Sequence, residues 1–349
     1  MRVVVVGATG NVGTSTVQAL AAEPRITSIL GLARRLPRLE IGKTEWERAD
    51  VTRTDLVPLF RGADAVVHLA WLFQPTHDPN TTWKTNVIGS SRVFDAVARA
   101  GVPALVHASS VGAYSPADKE NPVDEGWPTN GWPPAAYSRE KAYVERLLDI
   151  FEMEHASCRV VRMRPGFIFK REAASGQRRL FAGPLLPGSL VRPGLIPVVP
   201  DIPGLRFQAL HSADAGTAYR QAVLREVRGA FNLAAEPVIG TPELARMLGA
   251  RPVRVPARGV RVALTAAWSL GLVPASPDLL DLALHLPIMD CGRARAELGW
   301  RPEHSATAAI GELLTGLREE AGMDTPPLSP RTGGPMRVRE LLTGIGHRP

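Results

Sequence analysis

The stretch "VVVVGATGNVGTSTVQAL" (residues 3–20) constrains this chain more than any other. A run of valines ends abruptly in glycine, and glycines stand at 7, 10 and 13 before a helix-like segment. β-Branched residues favour a strand, whereas a strand turning sharply into a helix favours residues without a Cβ. Glycines at such a junction let the backbone approach a pyrophosphate, and the helix N-terminus presents N–H groups and the positive end of its dipole to the anion. Three spaced glycines alone would mark only a turn, but the strand before and the helix after supply the confirming context. A dinucleotide is the expected ligand of Gly7, Gly10 and Gly13, with Thr9, Asn11 and Val12 in the same turn.

The first 115 residues continue in the same manner. "ITSILGLA", "TEWERADV", "DAVVHLA" and "ALVHASS" are separated by helix-like stretches, and "RVVRMRP" (159–165) follows a further helix expected from about Tyr137 to Phe151. Strands spaced by helices imply right-handed βαβ crossovers and a parallel sheet. The expected fold is α/β: a Rossmann-type doubly wound sheet of six or seven strands with a smaller C-terminal substrate-binding region. The nucleotide-binding domain is expected over 1–169, with its core pattern resuming at 207–235. Residues 170–206 carry repeated prolines that forbid a long helix, and with 236–317 they are expected to form the substrate side or lid. A Pro/Gly-rich extension, 318–349, ends in a short basic amphipathic helix.

Composition excludes several classes. No apolar run reaches the roughly 18 residues a membrane helix needs, and "VRVALTAAWSLGLVPA" (260–275) is broken by Arg261 and closed by Pro274. "MRVVVVG" is too short for a signal peptide, and two cysteines, Cys158 and Cys291, imply a reducing compartment; a cytoplasmic protein is expected. The net charge of +7 is carried largely by arginine, and the basic stretch 158–179 lacks the interleaved aromatics of a single-strand binding groove. Nucleic acid and membranes are not expected partners; a small-molecule substrate is, and a homodimer is the assembly considered.

An NAD site places a carboxylate about 20 residues beyond the glycine turn to hold the ribose 2′-hydroxyl. Here that position falls at Ala33, followed by Arg34 and Arg35. Guanidiniums bind a 2′-phosphate bidentately, so NADP(H) is expected in preference to NAD(H); the rival reading has both arginines simply facing solvent.

In "PPAAYSREKAYVERLL" (133–148), Tyr137 precedes Lys141 by four residues, which puts both on one helix face with Cβ atoms about 5–6 Å apart. Lysine occurs only at 43, 84, 119, 141 and 170, so its use here is informative. A neighbouring ammonium is expected to draw the phenol's pKa down toward a useful acid/base range. A third group should donate a hydrogen bond to the substrate oxygen from the end of a neighbouring strand, where "LVHASSVGAYSP" offers Ser109 and Ser110. His68 and His107, on consecutive inner strands, read as core histidines, and no metal site is expected.

The GxxGxxG spacing and the Tyr–Lys pair together resemble the extended short-chain dehydrogenase/reductase superfamily, the NAD(P)-dependent epimerase/dehydratase family, over about residues 1–310. That resemblance selects Ser110, four residues before Tyr114, as the partner of Tyr137 and Lys141, and adds Asn86 of "NVIGSS" as the polar member near the catalytic site. It further implies cofactor contacts from Asp50 and Val51, from Leu69, Ala70 and Trp71, and from Pro165. For Asp50 a helix N-cap is the rival reading, and for Asn86 a capping role. Phe167 and His211 are implied as substrate-side residues, although His211 with Asp214 also reads as the brace of a strand-to-helix turn.

The resemblance implies an NAD(P)-dependent oxidoreductase or epimerase/dehydratase: hydride transfer at a carbonyl or carbinol carbon, with Lys141 on the nicotinamide ribose. Sugar-nucleotide members carry RPxNVYGP after the sixth strand. This chain reads Arg164-Pro165-Gly166-Phe167-Ile168-Phe169-Lys170, with Phe167 in place of the asparagine and Lys170 in place of the glycine. The departure favours an NADPH-dependent reductase or dehydrogenase of a moderately apolar substrate. A nucleotide-sugar epimerase or dehydratase is the alternative, and a non-catalytic NADP sensor the second alternative.

Overall fold

The computed structural model describes residues 1–74, 76–183 and 195–330. The first strand, β1 (Arg2–Val6), is buried along almost its whole length, as expected of an uninterrupted valine run in a parallel sheet covered on both faces. It feeds α1 (Asn11–Ala21), then β2 (Ser28–Ala33), β3 (Thr44–Arg48) and α2 (Val57–Phe60). β4 (Ala65–His68), α3 (Pro79–Trp83), a wide π-type turn at Lys84–Ile88, α4 (Gly89–Arg99) and β5 (Ala104–Ala108) follow. α5 (Ala136–Glu154) leads to β6 (Arg159–Pro165), β7 (Phe167–Phe169) and α6 (Ala174–Gln177).

Beyond the Pro-rich stretch come β8 (Val198–Asp201), β9 (Phe207–His211), α7 (Ser212–Leu224), β10 (Gly229–Leu233), β11 (Ala235–Ile239), α8 (Thr241–Leu248) and β12 (Arg251–Arg254). α9 (Ala257–Ser269), α10 (Pro277–His285), α11 (Gly292–Ala296) and α12 (Ala306–Arg318) complete the described elements. The C-terminal helix expected after residue 330, and residues 184–194 of the Pro-rich stretch, lie outside the described residues. Among the described residues no helix is long and apolar enough to cross a membrane.

Seven strands form one sheet in the order β3-β2-β1-β4-β5-β6-β10, every pair parallel. Because side chains alternate along a strand, β1 serves two cores. Val3 and Val5 pack with Val17, Leu20, Ala218 and Tyr219 of α1 and α7, whereas Val4 and Val6 pack with Val93, Val97, Val144 and Leu148 of α4 and α5. The sheet is therefore doubly wound, and its strand order reverses between β1 and β4. The carboxyl edge at that switch point is where open α/β sheets bind ligands. β10 extends the main sheet, while the strand expected near residue 207, β9, joins β7 and β11 in a separate three-stranded sheet.

Close approach of α1 and α7 depends on Gly216, where a Cβ would fall 2.5 Å from the Ser15 carbonyl oxygen. Ser15 and Ser212 share a hydrogen bond at 3.0 Å across the same contact, and Ser212 Oγ donates to the Asn11 carbonyl at 3.0 Å. The helix carrying the glycine turn is thus fixed laterally by the element that follows His211.

Candidate active site

The glycine turn has no room for side chains on its inner side. Gly7 has φ +87°, and a Cβ there would lie 2.6 Å from the Ala70 nitrogen; one on Gly13 would lie 2.3 Å from the Gly7 carbonyl oxygen. Gly10 differs, since a Cβ would meet only the Gly7 oxygen at 3.7 Å, which leaves its face open. Gly10 is also the N-cap of α1 and supplies no side-chain acceptor, so the first-turn N–H groups of Asn11, Val12 and Gly13 remain for a ligand. This cradle fits the pyrophosphate of a dinucleotide.

Gly7, Thr9 and Gly10 line a groove with Ala33, Arg34, Arg35 and Val51 on one side and Leu69, Ala70 and Trp71 on the other. Burial, with Arg34 beside it, lowers the pKa of Arg35 below the usual guanidinium range, so an anion between the two arginines would relieve both effects. Asp50, next to Val51 of the groove, braces a turn and caps no helix, the N-cap of α2 being Leu56: Oδ1 accepts from the Thr52 nitrogen at 2.9 Å and from Thr52 Oγ1 at 2.7 Å. Burial opposes its charge, yet those bonds with Arg34 and Arg53 hold its carboxyl below the ordinary range.

At the deeper end, Ser110, Tyr137 and Lys141 converge from β5 and α5. Ser110 caps the short turn Val111–Ala113, its Oγ accepting from the Gly112 nitrogen at 3.0 Å, and Tyr137 lies against the same turn. Gly112 permits that approach, since a Cβ there would stand 2.7 Å from Tyr137 Cε1. Lys141 Nζ donates to the Ala108 carbonyl at 2.7 Å and lies 3.4 Å from the centre of the Trp71 ring.

The electrostatics differ from the expectation that Lys141 lowers the phenol. Burial pushes Tyr137 up to about 12, with Ser110 opposing and Glu140 adding to the rise. Lys141 is itself pushed down to about 7 by burial, against the pull of Glu145 and Glu140. The physical reason is placement: the ammonium faces Ala108 and the indole of Trp71, and its distance to the Tyr137 ring centre is 5.9 Å.

Asn86 sits in the π-type turn and joins three elements. Its Oδ1 accepts from the Leu72 nitrogen at 2.7 Å, while Nδ2 donates to the Leu72 carbonyl at 2.8 Å and to Glu140 Oε2 at 2.6 Å. Thr82 Oγ1 donates to Glu140 Oε1 at 2.6 Å, and burial keeps the pKa of this carboxyl raised. Phe73 stacks on Tyr137 with ring centres 4.7 Å apart and nearly parallel planes. Next to it opens a cavity walled by Leu72, Phe73, Phe181, Trp268 and Leu279, with Tyr137 and Glu140 at one side.

Other expected site residues lie apart from this cavity. Phe167 packs edge-on against Phe207, with ring centres 5.2 Å apart, and stands more than a third exposed. Pro165 is buried at the end of β6, paired in register with Leu233. His211 caps α7 through Nδ1, which accepts from the Ala213 nitrogen at 3.3 Å, and its Nε2–H donates to Glu312 at 2.9 Å. His304 and Glu312 cluster with it, their ligand atoms within 4.8 Å of one another. Lys170 points to Thr14 and Ser15 of α1, not to the substrate side. His68 and His107 are buried with pKa values lowered chiefly by burial, His68 to about 3, and His68 bonds Ser90.

Residues that motif spacing did not single out hold the site together. Glu145, one turn beyond Lys141, accepts from Ser109 and from Arg164 and Arg162 of β6. Arg164 also donates to Tyr114 Oη at 3.0 Å, and Tyr114 donates to Asn232 at 2.6 Å. The i, i+4, i+8 spacing of Tyr137, Lys141 and Glu145 was the available signal.

Residues 3–178 match the NAD dependent epimerase/dehydratase family, and the chain belongs to it. It is thus an NAD(P)-dependent enzyme of the extended short-chain dehydrogenase/reductase type, as expected from its glycine turn and Tyr–Lys pair. Among curated relatives, the uncharacterized protein Rv0501 of Mycobacterium tuberculosis is 26% identical over 341 residues, covering 90% of this chain and 83% of its own. A UDP-glucose 4-epimerase of Mycolicibacterium smegmatis is 30% identical over 164 residues, 43% of this chain and 51% of its own. Among solved structures, UDP-glucose-4-epimerase from Stenotrophomonas maltophila with bound NAD and formylated UDP-arabinopyranose superposes with a TM-score of 0.68 at 21% identity, covering 91% of this chain and 98% of that one.

Proposed function

We propose that this enzyme moves hydride between a nicotinamide cofactor, NADP(H) in preference to NAD(H), and a carbonyl or carbinol carbon of a moderately apolar substrate, with carbonyl reduction as the favoured reaction. The observation that carries the reading is the cavity beside Tyr137, where Leu72, Phe73, Phe181, Trp268 and Leu279 form an apolar, aromatic face, with Gln74, Thr76, Thr82, Arg139, Glu140, Ser276 and Asp278 also in the lining. The apolar face gains from burying hydrocarbon, while the polar lining can fix the orientation of a substrate that carries one oxygen function. Arg34 and Arg35 on the groove, with no carboxylate at the end of β2, support the 2′-phosphate.

The roles follow from the chemistry. The cofactor, when bound, supplies or takes the hydride. Tyr137 gives its hydroxyl proton to the carbonyl oxygen as that oxygen becomes a hydroxyl. Ser110, on the turn against which Tyr137 lies, donates a hydrogen bond to the same oxygen and keeps its own proton. Lys141 holds the nicotinamide ribose, and Gly10, Asn11, Val12 and Gly13 hold the pyrophosphate. Asn86 keeps the loop after β4 tied to Glu140 of α5, and so positions Phe73 and Tyr137.

A second reading, epimerisation or dehydration of a nucleotide sugar, is favoured by the Mycolicibacterium smegmatis relative and by the nucleotide-sugar ligand of the Stenotrophomonas maltophila structure. One experiment separates them. NADPH oxidation across a panel of apolar ketones and aldehydes is followed by absorbance, and UDP-glucose is incubated in parallel. Enzyme-dependent loss of NADPH supports the reductase; isomerised sugar without net cofactor change overturns it in favour of the second reading.

A further inference from the structure

The groove lined by Gly7 and the two arginines has another wall. Pro326 and Pro327, about 150 residues beyond the end of the family match, line the same groove. The segment that carries them, 321–330, is anchored at both sides. On the side of α6, Arg179 Nη1 donates to the Ser329 carbonyl and Nη2 to the Pro327 carbonyl, both at 2.8 Å, and the Ser175 nitrogen donates to the Ala321 carbonyl at 3.3 Å. On the side of the β2–β3 connection, the Arg38 nitrogen, just beyond Arg34 and Arg35, donates to the Asp324 carbonyl at 3.0 Å.

The segment is built as a firm piece. Leu328 and Thr325 are buried, and the Leu328 and Ser329 nitrogens donate back to the Thr325 carbonyl at 3.1 and 2.8 Å. Gly176 leaves space for it, since a Cβ there would come 3.0 Å from the Pro327 carbonyl oxygen. Thr325 Oγ1, next to the two prolines, is buried with no hydrogen-bond partner among the described residues. Paired prolines present a rigid apolar surface with no N–H of their own, suited to a base or ribose face.

We propose that residues 321–330 are part of the dinucleotide site: a strap tied to Arg38 and Arg179 whose Pro326–Pro327 face holds the adenosine half of the cofactor against the Arg34–Arg35 side. This rests on the dinucleotide reading of the groove. It assigns the extension a binding role: the strap contributes to cofactor affinity, and its undocking precedes release.

The test uses the full-length enzyme, the Leu328→Asp variant, which places a charge in the strap's buried anchor, and the Pro326→Gly/Pro327→Gly double variant, which keeps the anchor and softens the face. NADPH and NADH dissociation are followed by stopped-flow fluorescence, and ADP-ribose and nicotinamide mononucleotide are titrated separately. The expected result is about tenfold faster cofactor dissociation and about tenfold weaker ADP-ribose binding in each variant, with nicotinamide mononucleotide unaffected. Unchanged dissociation from variants that keep the wild-type circular dichroism overturns the strap, as does an equal loss for nicotinamide mononucleotide. If Leu328→Asp does not fold, the double variant decides alone. Wild-type protein that binds none of the four probes overturns the dinucleotide reading itself, a failure visible before any variant is compared.

Discussion

The carboxylate of Glu145 accepts a hydrogen bond from Ser109 Oγ at 2.5 Å, so the residue preceding Ser110 is fastened to the same helix that carries Tyr137 and Lys141. The same carboxylate takes Arg164 at 2.9 and 3.1 Å and Arg162 at 2.9 Å. One buried acid therefore sets the spacing between β5, α5 and β6 beneath the site. Arg162 also reaches Asp149 and Glu152, which keeps its charge compensated toward the surface.

Glu145→Gln is expected to cost about 3–5 kcal/mol of stability, because it strips the charge partner from buried arginines. Burial opposes the Glu145 charge, but the bonds and charge of Arg164, then Arg162 and Ser109, hold its pKa at about 2 against an ordinary 4.5. Such a lowered carboxyl contributes stability that is complete above its ordinary value and is lost as pH falls through about 2. Urea unfolding at a series of pH values should show the gap between wild type and variant narrowing across that window. A constant gap would mean that Glu145 is not acting through its charge.

Tyr137, with its phenol pushed up to about 12, keeps its proton throughout the neutral range. A protonated phenol suits carbonyl reduction, where it acts as the acid, and hinders carbinol oxidation, where a proton acceptor is needed. Initial rates with saturating substrate should be nearly flat in pH for reduction and should rise by up to about tenfold per pH unit for oxidation. Tyr137→Phe should lower kcat by about 10²–10⁴ while leaving the NADPH Kd nearly unchanged. A substantial residual rate would remove the tyrosine from the chemistry.

Short-range spacing made the cofactor turn and the Tyr137–Lys141 pair legible, since each is a local pattern whose geometry follows from a strand, a helix or the junction between them. The doubly wound sheet was legible for the same reason: valine runs and helical stretches alternate in sequence. What brings Phe73 onto Tyr137, Trp71 onto Lys141 and Pro327 onto the arginine groove is tertiary register, which no periodicity encodes. The sign of the Tyr137 shift is not legible in the spacing, because burial, its largest cause, depends on the whole surrounding fold. β9 reads as a strand in either setting, and only its partners decide that it leaves the main sheet.

Arg34 and Arg35 give a separable test of cofactor choice. If they hold a 2′-phosphate, the Arg34→Ala/Arg35→Ala double variant should weaken NADPH binding by about ten- to a hundredfold, the scale of losing charge-assisted hydrogen bonds. NADH, which lacks that phosphate, should lose little. Fluorescence titration of both cofactors against both proteins measures the four constants. Parallel losses for NADPH and NADH would assign the arginines to the shared part of the cofactor and remove the basis for NADP(H) preference.

Lys170 supplies the last test, because its ammonium is inserted behind the first turn of α1. Nζ donates to Thr14 Oγ1 at 2.7 Å and to Ser15 Oγ at 3.1 Å, and Thr14 Oγ1 in turn donates to the Gly10 carbonyl at 3.0 Å. The glycine turn is thus braced from its rear by a buried cation, whose pKa burial lowers to about 8 against a weaker pull from Glu172. For a lysine lowered in this way the cost to stability is complete below about 8 and is relieved as pH rises from there toward the ordinary 10.5. Wild-type stability should therefore climb between pH 8 and 10 on account of this group, and Lys170→Met should be more stable near pH 7 but lack that climb. Cofactor affinity should move the other way, falling in wild type as the ammonium deprotonates and already lower in Lys170→Met at pH 7, because a positive charge behind the turn favours the pyrophosphate in front of it. Thermal melts and NADPH titrations over the same pH series read both effects; an affinity equal in the two proteins at pH 7 would confine Lys170 to packing.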